Sequence, residues 1–152
     1  LSLLVVLALG SRLLVGDRSN PIGGAAAADR WLLVQVAGDM LRQHPMFGVG
    51  AGNFPVVESR PPYDGVMVDP VHVIPLLVAA EAGLPAAFAW LLLVIGPAIA
   101  RIKWRAYSAA SVNHSIAISV TLLVLSGFDH YFWTLPPGRS LFWIAVGAGM
   151  TQ

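Results

Sequence analysis

The sequence predicts an all-α fold, that of a polytopic helical membrane protein, and two observations carry this reading. Of 152 residues, 57% are hydrophobic and 11% charged, with a mean hydropathy of +0.72; soluble domains hold roughly 45–50% apolar residues. The apolar residues also gather into four blocks separated by polar, proline-rich or charged connections. The chain starts at Leu1, and its last apolar block runs nearly to Gln152, so it is expected to be a fragment of a longer protein. The absence of cysteine rules out disulfides and thiolate metal sites. A net charge of +1 gives no sign of a nucleic-acid partner.

Leu1 to Val15 would be about 22 Å long as a helix, short of the ~30 Å hydrocarbon core, and reads as the end of a span with Arg12 snorkelling to the surface. The second block, residues 72–104, is too long for one straight span. Gly83-Leu84-Pro85 offers the break, because glycine ends helices and proline starts them. A short interfacial helix is therefore expected before the break and a span after it. A third span is expected over residues 106–128, then an outer turn at 129–139, with Tyr131, Phe132 and Trp133 suited to a membrane surface. Residues 140–152 read as a short last span.

Arg101, Lys103 and Arg105 gather where the second block gives way to the third, with no acid among them, whereas Asp17 to His72 holds four Arg against six Asp or Glu. Positive connections stay inside, so residues 16–71 and the turn at 129–139 should face outward. The first of these is far longer than the 12–15 residues or so beyond which loops usually carry function. Within it, residues 28–43 have helical periodicity, with Leu33, Val34, Ala37 and Leu41 on one arc. Arg30 falls on the same arc, in the expected first turn, where a positive charge opposes the helix dipole. It either snorkels to lipid phosphates or binds an anionic ligand through its planar fork.

The run HPMFGVGAGNF, residues 44–54, carries alternate glycines that permit either a tight turn or an anion-binding backbone nest. The following VVESRPPYDGVMVDPV reads as a mobile loop. His72 at the next helix mouth is either an interfacial side chain or an acid–base group. Asp69 is either the cap of that helix or a partner for the imidazole. Glu81, nine residues on, is half a turn out of phase with His72 on an ideal helix. Asp129 and His130 either line the same site or anchor the chain at the interface. The four histidines show no paired ligand spacing, so no metal is expected.

Arg30, then HPMFGVGAGNF, then His72 and Glu81-Ala82-Gly83-Leu84-Pro85, in this order and spacing, resemble the O-antigen ligase and polymerase superfamily; DHYFWTLPPGRSLFW resembles the turn before that family's last span. Val34, Val73 and Ala86 depart from its usual pattern. The resemblance implies a multi-pass enzyme of the cytoplasmic membrane, without a cofactor or metal. Such an enzyme takes glycan from an undecaprenyl-diphosphate-linked donor and passes it to a lipid, glycan or protein acceptor. Arg30 would then contact the donor diphosphate and His72 assist the acceptor hydroxyl, with Asp69, Glu81, Asp129 and His130 as further substrate contacts. The competing readings are a transporter or permease, which would carry ionisable groups at mid-depth in its spans, and a noncatalytic membrane scaffold.

Overall fold

A computed structural model describes residues 21–63, 68–103 and 109–150. The expected span end at 1–15, Arg12 and Arg105 lie outside them. The described residues are all-α: α1 Pro21–Gln43, α2 Phe54–Glu58, α3 Ile74–Ala82, α4 Leu84–Lys103, α5 Ala109–Ser126, α6 Tyr131–Thr134 and α7 Pro136–Met150.

Helix α3 organises the packing. Its sequence, IPLLVAAEA, is apolar nearly all round, the pattern of a helix with protein on every side. Leu77 and Ala80 pack with Leu33, Val36, Ala37 and Met40 of α1, with Phe54, and with Val71. Ile74 and Val78 face the other way, onto Trp90 and Val94 of α4, Leu122 of α5, and Phe142 and Val146 of α7. Each fully buried side chain of this size contributes about 1.5–3 kcal/mol.

The break between α3 and α4 is a single residue. Gly83 has φ +87°, and a side chain there would run into the backbone of Met46 and Phe47. The glycine-rich turn lies against this corner. Val49 N–H donates to Ala80 O (2.9 Å), Gly50 N–H to Glu81 O (2.8 Å), and Leu84 N–H to Pro45 O (2.8 Å). The turn thus satisfies carbonyls that the end of α3 would leave without partners. Those two N–H groups are thereby committed to α3, as in a tight turn, while Ala51 and Gly52 beyond them line a cavity.

Several boundaries differ from the sequence reading. Helix α1 is already formed at Pro21, ahead of the expected start near residue 28; the run of alanines outweighs the Gly23-Gly24 pair. Arg30 is therefore mid-helix, and the dipole argument does not apply to it. The buried stripe is Leu33, Val36, Ala37 and Met40, with Val34 and Leu41 at its edges. The expected loop after residue 54 begins with the short helix α2. The turn expected at 129–139 contains α6 and the first residues of α7.

Helices α4 and α5 are long and apolar enough to cross a membrane by length and composition. Phe88, Leu91, Leu92, Leu93, Val120 and Val124 are exposed on their outer faces. Polar groups join them inside: Ser119 Oγ donates to Val94 O (2.7 Å), and Arg101, itself buried, donates to Ser115 Oγ (2.7 Å) and to the carbonyl of Gly149. Arg101, expected in a charged connection, is thus held between α4, α5 and α7.

Gly48 and Gly52 separate backbone strain from steric overlap. Both have positive φ, +63° and +74°, but a Cβ at Gly48 would strike the backbone of Glu81 while one at Gly52 meets open space. Gly52→Ala should cost only about 1–2 kcal/mol for the left-handed conformation. Gly48→Ala should cost clearly more and lower the thermal midpoint further, as read by unfolding of the purified variants.

Candidate functional site

Four segments bring the candidate residues together. The chain enters α3 through Asp69, Pro70, Val71 and His72, and α3 is capped by Val73 with no side-chain hydrogen bond. Asp69 is therefore not its N-cap. The Asp69 carboxylate instead lies between two imidazoles, with Oδ2 3.7 Å from His72 Nε2 and Oδ1 3.5 Å from His130 Nε2. The two rings meet edge to face, their centroids 5.1 Å apart. The sequence shows no ligand pairing between these histidines; the fold supplies it by carrying the start of α6 to the mouth of α3.

His130 is buried, and its orientation is fixed from behind. Its Nδ1 is 2.8 Å from Thr134 Oγ1, and that hydroxyl donates to His130 O at 3.2 Å. The same hydroxyl can accept from Nδ1–H or instead give its proton to a bare Nδ1, so the contact holds the ring in place for either tautomer.

The charge around His72 comes from every side of the site. Its pKa is lowered from 6.5, first by burial and then by the Arg30 guanidinium; Asp69 and Asp129 pull it upward, and His130 pushes it down. Arg30, far away in sequence and exposed on α1, thus acts on His72 through space. Asp129 accepts a hydrogen bond from Tyr131 N–H (3.3 Å) at the start of α6.

Glu58, on α2, stands behind the carboxylate. It is fully buried, and its Oε2 accepts a hydrogen bond from Asp69 N–H (3.1 Å). Burial pushes its pKa up to about 7, against the lowering by that hydrogen bond and with a further rise from the Asp69 charge. No periodicity or motif in the sequence marks Glu58 as part of this site.

Glu81 belongs to a neighbouring arrangement. Almost fully buried, it accepts Trp133 Nε1–H at 2.9 Å and Phe54 N–H at 3.4 Å. It lines a cavity of about 560 Å³ together with Pro70, Trp133, Thr134, Arg139 and Trp143. Arg30 and His72 are not among the lining residues; the cavity meets the cluster through Pro70, next to Asp69, and Thr134, which holds His130. Trp133, Thr134 and Arg139 were missed as site residues. The four-residue spacing from His130 to Thr134 was the available clue, since it suits one helical turn.

Arg30, Asp69, His72, Asp129 and His130 therefore form one electrostatic group, and Glu81 stands apart from it. No protein-family model matches the chain, and comparisons with curated proteins and with solved structures return no significant match.

Two titrations follow. An unfolded Glu58 ionises near 4.5 and the folded one near 7, so the unfolded state loses its proton first and stability falls as pH rises through that window. Glu58→Gln should flatten this part of a plot of thermal midpoint against pH. For His72, the lowered pKa means that stability is lost as pH falls below 6.5, where the unfolded ring protonates first. Arg30→Gln should raise the His72 pKa, measured by NMR titration of labelled histidine.

Proposed function

We propose that this chain is part of a membrane glycosyltransferase of the O-antigen ligase or polymerase type, acting on the outer face of the cytoplasmic membrane. The observation that carries the reading is the gathering of Asp69, His72 and His130 at the mouth of α3, with the Arg30 charge near enough to act on His72. These are the residues that the ordered resemblance singles out. The two apolar helices α4 and α5, with their exposed outer faces, support placement in a bilayer.

In this reading an acceptor hydroxyl attacks the anomeric carbon of a lipid-diphosphate-linked glycan. The new glycosidic bond forms as the bond from carbon to the diphosphate oxygen breaks. The diphosphate leaves with the electron pair, and Arg30 stabilises the charge growing on it. His72, neutral because of burial and Arg30, takes the hydroxyl proton. Asp69 would hold the resulting imidazolium, its carboxylate already facing Nε2.

The cavity beside the cluster has the size of a small-molecule site, about 300–1,000 Å³. Its indole faces and the Arg139 guanidinium suit a sugar bearing an anionic group. Glu81, bonded to Trp133, would orient that ring rather than transfer a proton.

Complementation of a strain lacking the gene tests this. Arg30→Ala and His72→Ala should each abolish capped or polymerised glycan on a gel at normal protein level, with loss of general-base help alone about 10²–10⁴-fold in turnover. Unchanged glycan ladders in both variants would defeat the reading and favour a scaffold.

A further inference from the structure

We propose that Asp69, His72 and His130 form a binding site for a divalent transition-metal ion of the zinc class. Asp69 Oδ1 lies 3.5 Å from His130 Nε2, while Nδ1 of the same ring is held 2.8 Å from Thr134 Oγ1, so Nε2 is the ring nitrogen left to face the carboxylate. A second imidazole nitrogen, His72 Nε2, stands 3.7 Å from the other Asp69 oxygen. One ligand atom from each of the three residues can be chosen so that all lie within 4.8 Å of one another.

These separations suit shared coordination. A tetrahedral ion with bonds of about 2.0–2.2 Å holds its ligand atoms about 3.3–3.5 Å apart. Each imidazole is near that spacing from one Asp69 oxygen, though not the same one, and the one-atom-per-residue set spans up to 4.8 Å, so the three side chains would draw together by about an ångström around an ion. Two imidazoles and one carboxylate favour zinc and its neighbours over calcium or magnesium, which prefer oxygen alone. With Nε2 on an ion, His130 Nδ1 would carry the ring hydrogen and donate to Thr134, the outer contact that fixes a ligating ring. The Asp69 and Asp129 carboxylates offset the charge of Arg30 near the ion.

An ion at this place occupies His72 Nε2. If the glycosyl transfer proposed above uses the same nitrogen, the ion acts on it as an inhibitor and not as a cofactor. Binding itself does not depend on that transfer, and the experiment reads binding alone.

The full chain, purified in detergent with a tag free of histidine and stripped with chelator, is titrated with CoCl2. One equivalent should develop the visible absorption of low-coordinate Co(II), and ZnCl2 should displace it. His130→Ala and Asp69→Asn should each weaken binding more than about 10-fold, and Thr134→Val, which keeps all three ligands, about 10-fold. His44→Ala and His114→Ala should leave it unchanged. Absence of a saturable band in the unsubstituted protein, or a band equally strong in Asp69→Asn, would overturn the proposal. Asp69→Asn decides alone where His130→Ala fails to fold, because the change is nearly isosteric on a partly exposed side chain.

Discussion

The backbone contact between the glycine-rich turn and the end of α3 governs the rest of the structure. Val49 and Gly50 donate to the carbonyls of Ala80 and Glu81, and Leu84 returns a hydrogen bond to Pro45. Approach this close is open only to a residue without a Cβ at positions 48 and 83. The contact ends α3, sets the direction in which α4 leaves, and carries Phe54 to the point where its N–H meets Glu81. Glu81 in turn holds Trp133, and Trp133 packs against both apolar clusters. Three polar segments are thereby assembled around one short apolar helix.

The same arrangement explains why charge can gather at the mouth of α3. His72 is only partly exposed, and its neutral form is favoured by burial and by Arg30. Glu58, buried behind Asp69, accepts the Asp69 N–H and so constrains that residue's backbone while its side chain turns toward the histidines. Desolvation penalises each charged form, and the surrounding groups of opposite sign offset part of that penalty. The site is a balance among several ionisable groups held by different helices.

Much of the helical framework was legible in the sequence because it depends on local chemistry. The break at Gly83-Leu84-Pro85 follows from a residue that tolerates positive φ and one that starts a helix. The apolar runs of α4 and α5 are visible from composition. Helix α1 reaches back at least to Pro21 because a run of alanines favours helix, although the Gly-Gly pair and the proline beside it read as loop residues. Arg30 and His72 were legible as an ordered pattern. His130 was open to two readings, in the same site or at the interface, since its meeting with His72 depends on how α6 and α7 fold back against α3. Of the two roles open to Asp69, cap or imidazole partner, the structure has the second, and adds His130 as a tertiary partner that no local rule could supply. Glu58 gave no signal at all, because a lone acid in a proline-rich stretch looks like solvent-exposed loop.

Helix α3 belongs to both apolar clusters, lending Leu77 and Ala80 to one and Ile74 and Val78 to the other. The described residues consequently contain no seam along which the α1 side could detach while the α4–α5–α7 side stays intact. Loosening one half strips cover from the shared helix and weakens its grip on the other, so the two should open as a single cooperative unit in hydrogen exchange. Any movement of α1 would then be felt as strain at the far side of the bundle.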